Sequence, residues 1–342
     1  MDRNDENGVN GQQRLMRAGA VNAMAVCLNV GPEDRVWILT DEPRLAIGQL
    51  LGEVARERGA TVALHRIEDY TARPATIFPD ALGDELRALD PTVTVYAAGA
   101  LPGELPFRKG MADVLRHDLA VRHAHMVGIS AELLTSGMLA DYERVAALTF
   151  RVKAIMEQAR QVHVTSPTGT NLWVELDNQQ HRWIPFHGLY HQPGSFGNLP
   201  EGETCTTPAD ANGIFCASLL GDYFCERYGL LDPPMRFHIV GGRVTQITHE
   251  NDALAEEVWS YLDSARNGRR LGEFAIGTNE ALERFTGNLL QDEKFPGVHI
   301  AFGMPINETS AWQSDVHVDA ITTDCTIEVD GTRIMEAGEF RL

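Results

Sequence analysis

The sequence is poor in cysteine and in basic residues, and both shortages exclude classes of function. Its five cysteines, among 342 residues, include no pair two to four residues apart. We therefore expect neither a zinc–thiolate site nor a disulfide framework. The chain has 29 basic and 48 acidic residues and a net charge of −19. Because so acidic a surface repels nucleic acid and anionic lipid, we expect neither as a partner. The odd number of cysteines without CxxC spacing suits a reducing cytoplasm, which is the location we expect.

Long apolar runs are missing as well. No segment approaches the roughly 20 residues that a bilayer-spanning helix needs. The opening MDRNDENGVNGQQR is polar and acidic and lacks the hydrophobic core of a secretion signal, so we predict that residues 1–14 form a flexible tail. Hydrophobic residues make up 44% of the chain, which is enough for a substantial core. The length favours two domains or one large α/β unit.

Residues 15–160 alternate between strand-like and helix-like segments. The apolar run RVWILT at 35–40 follows a Gly-Pro turn and predicts a buried parallel strand, and the helix after it ends near residue 58. The segments that follow predict strands at 61–67, 91–99 and 123–130 and helices at 80–89 and 142–159. This order predicts an α/β N-terminal domain with an open, mostly parallel sheet.

The turn after the first strand, TDEPRLA, argues against a nucleotide site in this domain. A dinucleotide site needs a glycine-rich turn at that place, whereas this turn is acidic and contains no glycine. Since such a turn would repel phosphate, we interpret the domain as a scaffold. We interpret its strand histidines, His123 and His125, as structural.

The pattern changes near residue 161. Pairs of strand-like segments joined by turns with glycine or proline predict hairpins at 162–177, 237–248 and 326–340. A helix is predicted at 255–266. Residues 161–342 are therefore predicted to form an α+β C-terminal domain with an antiparallel sheet.

Several polar side chains of this domain lie in apolar, strand-like segments, where each would be costly to bury alone. In VHVDAI, His317 and Asp319 are two residues apart, so a strand would project both from one face. His299 alternates with apolar neighbours in GVHIAFG. Glu273 lies in GEFAIGTN, and Glu203 follows a Pro/Gly turn in NLPEGETCTTP.

Each of these residues alone also fits a structural role, such as a hydrogen-bonded core histidine or a turn carboxylate. Glu293, in QDEKFPG, is predicted to be a solvated charge. Two histidines and three or more carboxylates on several elements are, however, a ligand set for divalent metals. Two such ions, about 3.5–4 Å apart, polarise a carbonyl and activate a water. We therefore predict that the C-terminal domain binds metal.

Five segments resemble the aminopeptidase T family of metallopeptidases in their order and spacing: LPEGETCTTP, GEFAIGTN, GNLLQDEKFPGVHIAFG, HVDAI and TIEVDGTRI. The similarity extends over nearly the whole chain. It implies a homodimeric hydrolase that removes N-terminal amino acids from small peptides or amides with two divalent ions, such as zinc, cobalt or manganese. By motif, the family's metal ligands correspond to Glu203, Glu273, His299, His317 and Asp319.

On this resemblance our hypothesis is a two-metal amide hydrolase. Glu203 would accept a proton from the activated water, and Glu273 would bridge the metals. Compared with the family, this chain is shorter and has no tyrosine in GMPINETSAW, where the family carries one to stabilise the tetrahedral intermediate. A metal alone, or Asn307, Thr309 or Ser310, is left for that role.

The chain also resembles 2,5-dihydroxypyridine 5,6-dioxygenase, an iron(II) ring-cleaving enzyme that binds one iron with two histidines and one aspartate. His317 and Asp319 match two of those ligands. The other histidine falls where this chain has Glu273. An aromatic residue takes the place of His299, and an apolar residue takes that of Glu203. These three positions favour the peptidases and leave an iron(II) dioxygenase as the alternative.

Some features carry weaker hypotheses. His187 and His191, four residues apart in WIPFHGLYHQPGSFG, are candidates either for substrate contact or for a structural role. Asn307 is a further candidate for substrate binding. A third function that fits the sequence is a binding or assembly protein that keeps a peptidase scaffold with little or no activity.

Overall fold

A computed structural model describes residues 3–99, 101, 103–221 and 223–342. The chain divides into two compact units, residues 1–143 with 188–201 and residues 144–187 with 202–342. The sequence-based division was 15–160 and 161–342. The observed division differs because a later segment returns to the first unit and adds a strand to its sheet.

The helices are named in chain order. The α-helices are α1 Arg3–Val21, α2 Leu45–Glu57, α3 Asp80–Leu89, α4 Leu105–His117, α5 Ala131–Leu134, α6 Tyr142–Met156, α7 Tyr223–Tyr228, α8 Asp252–Asp263 and α9 Leu289–Asp292. Short 3₁₀ turns lie at Glu42–Arg44, Ile67–Asp69 and Gly137–Leu139, and a π-helical segment lies at Asn22–Cys27. Among the described residues, no helix combines the length and the apolar composition that crossing a membrane requires.

The strands are likewise named in chain order. They are β1 Arg35–Thr40, β2 Thr61–Arg66, β3 Val93–Ala97, β4 Arg122–His125, β5 Gln161–Thr165, β6 Asn171–Glu175, β7 Ile184–Phe186, β8 Phe196–Asn198, β9 Glu203–Thr206, β10 Asp210–Ala217, β11 Leu219–Leu220, β12 Met235–Val240, β13 Arg243–Thr248, β14 Leu271–Gly277, β15 Gly297–Gly303, β16 His317–Thr322, β17 Thr326–Val329, β18 Thr332–Glu336 and β19 Glu339–Phe340.

Helix α1 begins at Arg3 and so includes most of residues 1–14, for which a flexible tail stays a prediction. Residues 1 and 2 lie outside the described part of the chain. The helix continues into the π-helical segment, which buries Ala23, Met24 and Cys27. A Cβ atom on Gly19 would lie 2.1 Å from the carbonyl oxygen of Leu134, so glycine lets α1 approach α5 closely.

The sheet of the first unit has the strand order β2-β1-β3-β4-β8, and every pairing in it is parallel. Strands β1 and β3 are buried along almost their full length, which explains their continuous apolar sequences. This confirms the predicted open parallel sheet. Strand β8, with the sequence FGN, carries no strand pattern and was not predicted.

An ion-pair network lies where β1 and β3 end. Strand β1 has β2 on one side and β3 on the other, so the order of the strands reverses at β1. Open α/β sheets bind ligands at the carboxyl ends of the strands where the order reverses. Here Arg73 pairs with Asp41, which follows β1, and with Glu104, and it also donates to the carbonyl of Gly99. Both carboxylates are 1% exposed. The carboxyl ends of these strands are thus held together by the protein's own charges.

The second unit contains two antiparallel sheets, as predicted for the C-terminal domain. The eight-stranded sheet has the order β13-β12-β10-β6-β5-β17-β18-β19, and the six-stranded sheet has the order β11-β16-β15-β14-β9-β7. The three predicted hairpins correspond to β5-β6, β12-β13 and β17-β18. A continuous core draws apolar side chains from both sheets and from helices α6 and α8.

The histidines of β4 generate a prediction about pH; His123 is buried and His125 is partly buried. Burial lowers the pKa of His123 far below its usual value and lowers that of His125 to about 3. Unfolded histidines take up protons below about pH 6.5, whereas these two stay neutral, so folding stability falls as the pH drops below that value. Each histidine contributes about 1.4 kcal/mol per pH unit to the slope of the free energy of unfolding against pH.

The His125→Phe variant, which keeps a ring on Tyr96, should therefore lose about half of this slope between pH 6.5 and 5 in urea unfolding. As a control, Phe196→Leu removes a ring from the same stack without removing a titratable group, so it should lower stability equally at each pH. An unchanged slope in His125→Phe would contradict the assignment of His125 as a neutral residue in the folded protein.

Candidate metal centre

Adjacent strands of the six-stranded sheet carry the predicted ligands. Glu203 begins β9, Glu273 lies in β14, His299 lies in β15, and β16 carries both His317 and Asp319. These strands are neighbours in the order β16-β15-β14-β9. Residues far apart in the sequence are therefore brought to one place by the register of the sheet.

The pleat of the strands decides which residues share a face. Phe274, Ile300 and Val318 all pack into the core of the second unit. Each of them is a direct sequence neighbour of a predicted ligand, so the ligands project from the opposite face. Strands β14 and β15 are nevertheless buried at every residue. The polar groups therefore lie on a covered face rather than on a solvent-exposed one.

His317 lies beside two carboxylates. Its Nε2 atom is 3.4 Å from Oε2 of Glu273 and 3.5 Å from Oδ1 of Asp319. These three residues each offer an atom within 4.8 Å of the others. Nδ1 lies 3.3 Å from the carbonyl oxygen of Met304, to which it can donate, and this contact directs Nε2 at the carboxylates. The side chain of His317 is 28% exposed, so solvent reaches this end of the cluster.

His299 lies beside the other carboxylate oxygen of Glu273. Its Nε2 atom is 3.8 Å from Oε1 of Glu273 and 3.4 Å from Oε2 of Glu203, and the three form a second group of possible ligands. Glu273 thus directs one oxygen at each imidazole. A carboxylate in this position can serve two groups of ligands at once.

Glu293 was predicted to be a solvated charge, and this is wrong. Its side chain is 13% exposed, and it forms a third group of possible ligands with His299 and Asp319. Lys294, which the sequence analysis did not consider, is completely buried, and its Nζ atom lies 2.7 Å from Glu203 and from Glu293. The sequence signal for both is weak, because a charged pair between a short helix and a strand usually faces solvent.

The charges of the cluster compensate one another. Burial would raise the pKa values of Glu273 and Asp319, but hydrogen bonds and the charges of the histidines hold both below their usual range. Burial would lower the pKa of His299 and His317, but the carboxylates raise them to about 9 and about 10. Burial raises the pKa of Glu293 to about 8. Protonated imidazoles therefore balance the carboxylates, and a metal ion would replace their protons.

The donor set fits a divalent metal. Among the described residues, the buried atoms Oε2 of Glu203 and Nδ1 of His299 have no hydrogen-bond partner. A buried carboxylate oxygen without a partner is costly, and a cation beside Nε2 of His299 would satisfy it. Carboxylate and imidazole donors together suit zinc, cobalt, manganese or iron. The residues that could hold the ion are Glu203, Glu273, Glu293, His299, His317 and Asp319.

A glycine fixes the position of Asp319. The amide of Gly221 donates to the carbonyl of Asp319 at 2.8 Å. A Cβ atom at position 221 would lie 2.6 Å from Oδ2 and 2.9 Å from Cβ of Asp319. Any larger residue would push the carboxylate out of its place beside His317.

The weaker sequence candidates have other partners. Asn307 accepts from the amide of Thr207 at 2.6 Å and donates to the carbonyl of Arg182 at 2.9 Å, which anchors the loop between β15 and β16. The ring of His187 packs against Phe150, 5.0 Å between centroids. His191 belongs to the first unit and contacts the carbonyl of Val26 at 2.7 Å. A role in substrate binding for Asn307, His187 and His191 stays a prediction.

The central place of Glu273 predicts that its loss weakens metal binding most. The Glu273→Gln variant keeps the size of the side chain but removes the charge from two ligand groups. It should raise the Kd for zinc or manganese by more than the 10- to 100-fold that is usual for an outer partner of a metal ligand. Calorimetric titration measures this Kd. The exposed Glu283→Gln is the matched control, and equal affinities in both variants would contradict a metal centre around Glu273.

Comparison with known proteins identifies the family of the chain and solved structures with a similar fold. A family described as NicX, 2,5-dihydroxypyridine 5,6-dioxygenase, matches residues 132–342. The 2,5-dihydroxypyridine dioxygenase from Pseudomonas putida KT2440 superposes with a TM-score of 0.66 at 18% identity over 96% of this chain and 97% of that one. AmpT from Thermus thermophilus superposes with a TM-score of 0.69 at 18% identity over 96% and 100%. No curated protein matches the chain significantly. The resemblance to both groups is confirmed.

Proposed function

The chain belongs to the enzyme family described as NicX, 2,5-dihydroxypyridine 5,6-dioxygenase, and on that premise we propose that it is a metal-dependent hydrolase of small peptides or amides. It shares its fold both with a dioxygenase and with AmpT. The family therefore leaves the reaction open between at least two chemistries. The choice between them depends on the side chains of the candidate centre.

The observation that carries the proposal is the place of Glu273 between two imidazoles. Its oxygens lie 3.8 Å from His299 and 3.4 Å from His317. Non-haem iron oxygenases typically use two histidines and one carboxylate on one face, with open positions for oxygen and substrate. Here carboxylates outnumber imidazoles, and one carboxylate joins two ligand groups. Such a set supports a hydrolytic centre with one or two divalent ions.

A bound divalent ion would polarise the amide carbonyl and make a water more acidic. Glu273, His299, His317 and Asp319 would hold it. Glu203 has one oxygen engaged by Lys294, and its buried Oε2 has no hydrogen-bond partner and lies 3.4 Å from Nε2 of His299. That oxygen is the proposed acceptor of the proton that the attacking water loses, and the leaving amine would take the proton afterwards.

The loop between β15 and β16 offers little help to an oxyanion. Thr309 donates its hydroxyl to the carbonyl of Gln180 at 2.9 Å, and the hydroxyl of Ser310 lies 3.3 Å from His181. Asn307 is engaged on both sides of its amide. We therefore assign the stabilisation of the oxyanion to the metal alone.

The reaction is tested with a panel of amino-acid amides and short peptides, assayed with zinc, cobalt and manganese in turn. Glu203→Gln should lower kcat by about 10²- to 10⁴-fold, the usual contribution of a general base. The exposed Glu250→Gln is the control and should match the wild-type rate. Full turnover in Glu203→Gln would remove Glu203 from the chemistry, and no turnover of any amide would reject the hydrolase.

The second candidate function is an iron(II) dioxygenase, which the family match favours. The shared pair His317 and Asp319 would then hold iron, and Glu273 would take the place of a histidine. The test is oxygen uptake by the iron(II)-loaded protein with 2,5-dihydroxypyridine. A hydrolase should consume no oxygen with this compound, whereas stoichiometric uptake would favour the dioxygenase. The homodimer implied by the resemblance stays a prediction, which light scattering checks.

A further inference from the structure

Lys294 is a completely buried cation inside the candidate centre. Its side chain is 0% exposed, and its Nζ atom lies 2.7 Å from Oε1 of Glu203 and 2.7 Å from Oε1 of Glu293. A buried ammonium group is costly unless charged partners surround it. The carboxylate of Glu203 meets that requirement here, and Oε1 of Glu293 accepts from the same ammonium group. The position is therefore built for a charged lysine.

The backbone around Lys294 is held in place from two sides. Its amide donates to the carbonyl of Gln291 at 2.9 Å, and its carbonyl accepts from the amide of Asn279 at 3.0 Å. Gly277 lets this backbone approach the sheet, because a Cβ atom there would lie 2.8 Å from the carbonyl carbon of Lys294. The backbone of Lys294 is thus fixed, and its side chain extends from this fixed position to the ligand cluster.

The contacts of Lys294 divide the oxygens of Glu203 between two tasks. Oε1 accepts from the ammonium group, and Oε2 is left buried, without a hydrogen-bond partner, 3.4 Å from Nε2 of His299. The lysine therefore determines which oxygen of Glu203 is presented to the rest of the ligand set. Without it, the carboxylate would be free to turn about its terminal bond.

The same ammonium group also contacts a carboxylate from a different ligand group. Glu203 belongs to the group with Glu273 and His299, whereas Glu293 belongs to the group with His299 and Asp319. A lysine that only compensated charge would need to lie near these carboxylates, but the direction of its contacts would not matter. Bonds at 2.7 Å to one oxygen of each orient both groups around their shared member, His299.

We infer that Lys294 is a positioning residue for the metal centre, which orients Glu203 and Glu293 so that the second oxygen of each faces the metal site. This inference rests on the proposed metal-dependent function. In this role Lys294 does not compete with the metal ion, because its ammonium group contacts the Oε1 atoms and leaves Oε2 of Glu203 available. Removing the lysine should therefore weaken metal binding, although it also removes a positive charge from the site.

The test is the affinity for Mn²⁺, measured by calorimetry and by electron paramagnetic resonance of the bound ion. Lys294→Met should raise the Kd by at least about 10-fold, as expected for the loss of an outer partner of a metal ligand. Lys153→Met removes a less buried lysine that pairs with Glu157, and its Kd should equal that of the wild type. An unchanged or lower Kd in Lys294→Met would overturn the inference, because a mere counter-charge would leave metal binding intact or strengthen it.

A second pair of variants applies if Lys294→Met alone fails to fold. Glu293→Gln keeps an oxygen that accepts from Nζ, and the double variant Lys294→Met with Glu293→Gln removes one charge of each sign. The double variant should bind Mn²⁺ at least about 10-fold more weakly than Glu293→Gln, and equal affinities would overturn the inference. Wild-type protein that binds no Mn²⁺ would instead overturn the proposed metal centre itself.

Discussion

The structure of the second unit depends on the mutual compensation of buried charges on one face of the six-stranded sheet. Most of the carboxylates and imidazoles there are almost fully removed from water, and a buried charge is costly unless it is paired. Glu273 is the common partner, with one oxygen toward His299 and the other toward His317. The carboxylates raise the pKa of both imidazoles, to about 9 and about 10. A divalent cation is the natural replacement for the protons that this arrangement attracts.

The fold supplies this arrangement by alternation along strands that are buried on both faces. One face of β14, β15 and β16 sends Phe274, Ile300 and Val318 into the core. The opposite face gathers the ligands, and the register of neighbouring strands sets their separation. Gly221 then leaves room for Asp319, and the turn after α9 adds Lys294 from outside the sheet. The centre therefore needs both the regular sheet and a few close approaches at its border.

The sequence predicts the regular part of this design well. The two-residue spacing of His317 and Asp319 places both on one face of a strand, and the structure brings them within 3.5 Å. The parallel sheet, the three hairpins and the antiparallel second unit follow from period-two patterns and turn residues. Each of these signals is local, so a single sequence is enough to find it.

The remaining features depend on contacts between distant segments, which local patterns cannot indicate. Lys294 and Glu293 look like solvated charges, and the packing of the α9 turn against the sheet makes them buried. Strand β8 is defined by pairing with β4 rather than by its own residues. Asn307, a candidate for substrate contact by sequence, is engaged by backbone groups at 182 and 207. In each case tertiary packing overrides the local signal.

The family and the fold lead to metal-dependent chemistry, and the carboxylate-rich ligand set favours hydrolysis within it. The central hypothesis is that side chains of β9, β14, β15 and β16 bind a divalent ion together. Anomalous diffraction from crystals soaked in zinc tests it most directly. We expect a peak about 2.0–2.2 Å from Glu273 and from at least one of His299 and His317. Zinc-soaked crystals with no peak among these residues, or with zinc bound elsewhere, would contradict it.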